Sequence, residues 1–181
     1  MNEVIHLYQQ RPLFIENEKV VLKAAQSVWA TNKYFVLACN QSYYLKIREF
    51  LKPHNMELSA AYDLLKQVHE EFQLVPTGEL PQITNALYHM AGYFKQLLSN
   101  DKRQLINRLI KENPQEALCQ LEQYAFIYQV DYLKHSNIWP SQRGIPFNQI
   151  DISLTNHGVT YLPNELIWKG NHLIAQPENK P

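Results

Sequence analysis

A chain of 181 residues that is 45% apolar and 12% aromatic can fill one sizeable core, and its composition is not that of a disordered segment. Seventeen Lys and Arg balance seventeen Asp and Glu, which excludes a grip on nucleic acid or membrane driven by whole-chain charge and leaves only local basic patches for that purpose. No stretch approaches the roughly 18 consecutive apolar residues of a membrane span, and the N-terminus lacks a basic segment followed by an apolar one, which predicts a cytoplasmic protein that does not cross the membrane.

The first predicted element is an amphipathic helix over residues 16–38. There Val20, Val21, Ala24, Ala25, Val28, Trp29, Phe35 and Val36 recur mostly at three-and-four spacing, behind Asn17 as a cap. A second helix over 41–52 ends at Pro53, because the residue before a proline is biased out of the α region. A third over 57–72 places Leu58, Ala61, Tyr62, Leu65, Val68 and Phe72 on one side, and Pro76-Thr-Gly breaks it. Pro81 fits the first turn of a fourth helix, over 81–99, where its missing N–H would be unpaired in any case.

Ser99 caps a fifth helix to about residue 112, with Leu105, Ile106, Leu109 and Ile110 as its apolar side. Asn113-Pro-Gln-Glu then combines a cap, a proline at the first helical position and an acid three residues on, opening a sixth helix to about residue 135. That helix is apolar around most of its circumference and is expected to be the most buried. Past Trp139-Pro140 the period changes. Ile150-Asp-Ile-Ser-Leu-Thr alternates, Asn156-His-Gly marks a turn, and Leu166-Ile-Trp and Leu173-Ile-Ala flank Lys169-Gly-Asn-His as a hairpin. The expected fold class is therefore mainly α: a single helical domain of about six helices over 16–140, with a small β-rich C-terminal extension over 141–181.

The fourth helix has two faces. Ile83, Leu87, Met90, Ala91, Phe94, Leu97 and Leu98 fall within an arc of about 100°, an ordinary core stripe, while Asn85, His89, Gly92 and Gln96 form a polar line opposite. Glycine inside a helix costs about 0.5–1 kcal/mol relative to alanine, so Gly92 predicts a close approach to the backbone. Either another helix packs over it, with Asn85 and His89 bonding to neighbouring backbone, or a ligand does. Tyr88, Tyr93 and Lys95 beside the line offer aromatic faces and a cation to a base and a phosphate. Lys102, Arg103, Arg108 and Lys111 make the fifth helix the most basic stretch, which Lys33, Lys46 and Arg48 extend if the first helices pack alongside. The alternative is a merely solvated charged face. Tyr124, Tyr128 and Tyr132 recur at i, i+4 with His135 close by, and read as core rather than as a stacking platform.

Other chemistry finds little support. Seven histidines occur without HxxxH or HExxH spacing, and Cys39 and Cys119 lie far apart in apolar runs without a CxxC pair. The expectation is two buried thiols of a reducing compartment, no metal site and no disulfide. Without a Gly-rich phosphate loop or a GxSxG elbow, no cofactor is expected, and His89 is the one candidate if there is a catalytic residue at all.

Several strings also carry a resemblance. Trp29-Ala-Thr-Asn-Lys-Tyr-Phe-Val-Leu-Ala, Tyr43-Tyr, Asn85-Ala-Leu-Tyr-His-Met-Ala-Gly-Tyr-Phe-Lys, Asp101-Lys and Tyr132-Leu resemble the successive motifs of the YbgA-like family over residues 23–140. The Asn-x-Leu-x-His-x-x-Gly-Tyr-Phe-Lys string is the specific part. Members of that family, a domain of unknown function, occur alone or fused behind an iron–sulfur desulfidase domain that acts on thiolated uracil, and in such fusions the YbgA-like part is regarded as holding tRNA. The resemblance implies a non-catalytic RNA-binding helical module with tRNA as its expected ligand. The desulfidase half is absent here, so a separate desulfidase chain is the expected protein partner. The nucleic-acid-binding set it points to is Lys33, Asn85, His89, Gly92, Tyr93, Lys95, Lys102 and Arg103. Two rival readings stand beside it: a small-molecule enzyme with His89 as acid or base in a pocket closed over Gly92, and a protein-interaction subunit of a desulfidase that docks through the β-rich extension. The oligomeric state stays open.

Overall fold

The computed structural model describes residues 13–72, 81–142, 144–156 and 159–175. Among them are seven α-helices and five short strands, a mainly α architecture in which four of the strands follow the last helix. The helices are α1 Glu18–Cys39, α2 Gln41–Phe50, α3 Leu58–Glu71, α4 Pro81–Ala91, α5 Asn100–Glu112, α6 Pro114–Ile127 and α7 Asp131–Lys134. The strands are β1 Leu13–Ile15, β2 Leu154–Asn156, β3 Val159–Tyr161, β4 Leu166–Lys169 and β5 His172–Ala175. No helix among the described residues is long and apolar enough to cross a membrane.

Polar caps set most helix starts. Asn17 Oδ1 accepts from the N–H groups of Lys19 and Val20 at 3.1 and 3.3 Å, as its place before the first periodic residue predicts. Asn40 Oδ1 does the same for Tyr43 at 3.0 Å, opening α2 one residue after α1 ends. Ser99 Oγ accepts from Lys102 N–H at the start of α5. At α6, Asn113 Oδ1 accepts from Glu116 N–H at 3.3 Å while its Nδ2 donates to Glu116 Oε2 at 3.0 Å, with Pro114 at the first helical position. The Pro76-Thr-Gly break falls outside the described residues.

Two predicted helices are shorter than their hydrophobic pattern. The element expected over 81–99 is α-helical only to Ala91, where Gly92–Phe94 tightens into a 3₁₀ turn with Lys95 N–H bonded to Gly92 O at 3.3 Å and Leu97 N–H to Phe94 O at 2.9 Å. Glycine has the lowest helix propensity after proline, so the ladder yields there first. The element expected to reach 135 stops at Ile127. Gln129 takes φ +53°, Val130 N–H reaches back to Ala125 O at 2.9 Å and Gln129 N–H to Phe126 O, the two bonds of a Schellman closure. Apolar periodicity runs through this break because α7 presents the same side to the core, with Leu133 buried.

The expectation that this helix is the most buried is also corrected. Ala117, Leu118, Leu121, Tyr124 and Ala125 face inward, but Phe126 and Ile127 are 41% and 66% exposed. Cys119 falls on the outward face with them, so only Cys39 is a buried thiol, and burial pushes its pKa up to about 12. Both cysteines are free, as expected.

In one sheet the order is β1-β5-β4, all antiparallel, with Leu13 and Leu166 both opposite Ala175 and Trp168 opposite Leu173. The β4–β5 hairpin turns through Gly170 at φ +60°, where only glycine is unstrained. Strands β2 and β3 form a second antiparallel pair, Leu154 opposite Tyr161. The turn read at Asn156-His-Gly involves His157 and Gly158, which lie outside the described residues.

The chain divides into two compact units. The first draws on the chain up to Trp29, on Arg48–Asp63 and on the chain from Asn148 onward. Its core holds Trp168, fully buried and edge-on to Tyr62 at 5.5 Å, with Leu166 and Leu173. Gln26 there donates to Leu51 O at 3.0 Å. The second unit comprises Ala30–Ile47 and Leu64–Phe147. In it α4, α5 and α6 pack on one another around Leu87, Met90, Phe94, Ile106, Ile110 and Leu121.

Candidate nucleic-acid interface

Where α4 gives way to its 3₁₀ turn, a groove of about 430 Å³ opens against α5 within the second unit. The α4 side contributes Tyr88, Ala91, Gly92 and Lys95. The α5 side contributes Asn100, Arg103, Gln104 and Asn107, whose three-and-four spacing puts them on one helix face. A Cβ placed on Gly92 would meet nothing within 4 Å. No helix among the described residues packs over it.

The charge in the groove is one-sided. Lys95 and Arg103 are its cations, its lining contains no carboxylate, and neither cation forms an ion pair among the described residues. Arg103 Nη1 donates to Lys95 O at 3.3 Å, and its Nε, hidden from solvent, has no acceptor among the described residues. Two cations, three amide side chains and a phenol make a surface suited to an anion that also carries hydrogen-bonding edges. The first unit has a groove of about 500 Å³ of opposite character, lined by Phe14, Ile15, Glu16, Glu18, Met56 and His172 among others, with carboxylates and no lysine or arginine.

A second cluster surrounds Lys33. Its Nζ sits 4.4 Å from the ring centre of Tyr34, 4.2 Å from that of Tyr132 and 6.0 Å from that of Tyr93. Tyr93 stacks on Tyr132 at 5.6 Å, and Tyr34 OH and Tyr93 OH are 3.1 Å apart. Desolvation, aided by the Tyr93 hydrogen bond, raises the Tyr34 phenol, and burial raises that of Tyr132, so both stay protonated at neutral pH. Lys102 makes a third, smaller arrangement: Nζ donates to Tyr128 OH at 3.2 Å and lies 5.8 Å from the ring centres of both Tyr124 and Tyr128. Of that tyrosine stripe only Tyr124 is core, at 6% exposure, whereas Tyr132 is 48% exposed.

The eight residues singled out in the sequence thus separate. Gly92, Lys95 and Arg103 share the groove. Lys33 and Tyr93 belong to the tyrosine cluster, and Lys102 turns to Tyr128. Asn85 is partly buried and His89 exposed, and neither lines the groove. Tyr88, Gly92 and Lys95 lie on one side of the turning chain and His89 and Tyr93 on the next, which splits the polar line lengthwise. Among the described residues no group of three His, Cys, Asp or Glu side chains is placed to hold a metal ion.

Sequence reasoning passed over a polar hub in the same unit. Asn32 is fully buried; its Oδ1 lies 2.7 Å from His69 Nε2 and accepts from Asn137 Nδ2 at 2.8 Å, while its Nδ2 donates to Phe147 O at 2.7 Å and Thr31 Oγ1 at 3.1 Å. The His69 ring is stacked between Phe35 at 4.5 Å and Phe147 at 4.6 Å. Desolvation lowers its pKa to about 4, so it is neutral at pH 7. The only local signal was an asparagine and a histidine set among apolar residues of α1 and α3; their meeting is a tertiary fact.

Residues 33–141, more than half of the chain, match the model of a family described as Protein of unknown function (DUF1722). The chain belongs to that family. The DUF1722 segment contains the whole groove, the tyrosine cluster and His69, while Asn32 sits one residue before it and Phe147 six after. No match was found among curated proteins or among solved structures.

Proposed function

We propose that this DUF1722 protein is a non-catalytic, cytoplasmic RNA-binding module whose ligand is tRNA. The observation that carries the proposal is the groove between α4 and α5, where Lys95 and Arg103 line one surface without a carboxylate in the lining or an ionic partner among the described residues. On a chain of zero net charge, such local imbalance is the source of phosphate attraction. The exposed tyrosines near Lys33 add aromatic surface of the kind that stacks unpaired bases. The choice of tRNA, the link to thiolated-nucleoside metabolism and a desulfidase as protein partner rest on the resemblance to YbgA-like proteins. His89 is exposed and does not line this groove, so the groove itself does not support an acid–base role for it.

Filter binding with tRNA at low and raised salt tests this. Affinity is expected to fall with salt, with log K declining by about 0.7–0.9 per phosphate neutralised for each tenfold rise in salt. Affinity no better than that of an acidic control protein, or binding insensitive to salt, sinks the proposal.

A further inference from the structure

We infer that the groove over Gly92 is a single-nucleotide site: Lys95 and Arg103 hold a phosphate, and the amides of Gln104 and Asn107 meet the polar edge of one unpaired base beside Tyr88. This rests on the RNA reading and deepens it by naming what enters the groove. Size is the first argument. About 430 Å³ lies within the roughly 300–1,000 Å³ of small-ligand clefts, a size that suits one splayed-out nucleotide or a free mononucleotide.

Chemistry is the second argument. Primary amides present a donor beside an acceptor, the complement of a base edge, and they stand on the groove-lining face of α5 with Arg103, Gln104 next to it in sequence and Asn107 one turn along. Lys95 and Arg103 are the cations of the lining, and the Arg103 side chain is held by its bond to Lys95 O, so charge and amides share one groove. Gly92 is the third argument. It carries no positive φ, nothing within 4 Å of its missing Cβ fills the space, and yet a helix-weakening residue stands there. The open backbone is accounted for by a ligand that approaches it.

The openness of Gly92 also supplies a variant to block the site. Gly92→Leu projects a side chain into the groove where nothing in the protein clashes with its Cβ. Uridine 5′-monophosphate, uridine and inorganic phosphate are titrated into the full chain and followed by amide NMR, and each is tested as a competitor of tRNA in filter binding. The nucleotide is expected to shift the Gly92 amide and the side-chain amides of α5, to bind more tightly than uridine or phosphate alone, and to compete with tRNA. Gly92→Leu and Lys95→Gln are each expected to weaken both nucleotide and tRNA by about tenfold or more with an unchanged thermal transition, the scale of one lost charge-assisted contact.

If tRNA binds with salt dependence but both variants bind it as tightly as the parent, the groove assignment is overturned and the RNA reading stands. If the nucleotide binds and Gly92→Leu abolishes it while tRNA does not bind at all, the site stands as a free-mononucleotide site and the RNA reading falls. A nucleotide that neither shifts the groove amides nor competes overturns the inference.

Discussion

Asn32 has no solvent access, and its side-chain oxygen and nitrogen each serve two partners. Phe147 O can only accept, which fixes which end of the amide is Nδ2, and the Oδ1 facing His69 then makes His69 Nε2 the protonated nitrogen. Asn32→Ala removes the acceptor of the His69 N–H and of the Asn137 amide, both partly buried. With about 1–3 kcal/mol for a buried group left unpaired, urea denaturation is expected to show a loss of about 1–3 kcal/mol. His69 gives a linked prediction. Its folded pKa of about 4 lies below the ordinary value of 6.5, so below pH 6.5 the unfolded chain binds a proton that the folded chain refuses. The stability this represents is intact above pH 6.5 and is lost as pH falls toward 4, on the order of 3 kcal/mol in all. Denaturation midpoints at pH 7 and pH 5 check it: the parent should lose stability between them, and His69→Phe should flatten that part of the dependence. An equal fall in both rules His69 out as the cause.

At the level of the element, caps and periodicity carried the reading furthest, because both are settled within a few residues of sequence. Asn113 and Pro114 mark the start of α6 where expected, and Asn113→Ala should cost about 1 kcal/mol, read as a lowered thermal midpoint. Helix ends inside an apolar run were not legible, since the core demands the same residues from a helix, a 3₁₀ turn and a single-turn helix. Gly92 marks one such end. Its site in open space has an energetic consequence apart from any ligand: Gly92→Ala should leave stability unchanged or raise it by up to about 1 kcal/mol. Destabilisation beyond that, measured by the same thermal transition, would mean that the 3₁₀ turn needs glycine. At Gln129 the left-handed position is held by a residue other than glycine, with its amide donating to Phe126 O at 2.7 Å and accepting from Lys134, bonds that no spacing rule announces.

For the molecule as a whole, what sequence could not reveal is what long-range contacts decide. The β1 strand has only three residues, too few for a pattern, and exists because β5 lies beside it some 160 residues later in the chain. The groove was half visible: Gly92, Lys95 and Arg103 stood out by type, but the amide face of α5 acquires meaning only once α4 lies against it. The same long-range character makes the C-terminal segment integral to its unit. A chain ended after Gly144 loses Ile150, Leu166, Trp168 and Leu173, all buried, together with the partner strand of β1, and it also loses Phe147, which stacks on His69 and accepts from Asn32. At about 1.5–3 kcal/mol per buried large side chain, the loss is comparable with the whole stability of a domain, about 5–15 kcal/mol. The first unit should therefore fail to fold in that truncated chain, read as a loss of thermal transition amplitude in circular dichroism, and a truncated chain that melts with the parent's amplitude within about 5 °C of the parent would refute the point. Loss of a partner that docks on the first unit would then report unfolding of that unit and not a docking role, so any contribution of the β-rich segment to binding has to be sought with substitutions on its exposed residues, such as Thr160 or Lys169, that leave β4 and β5 paired.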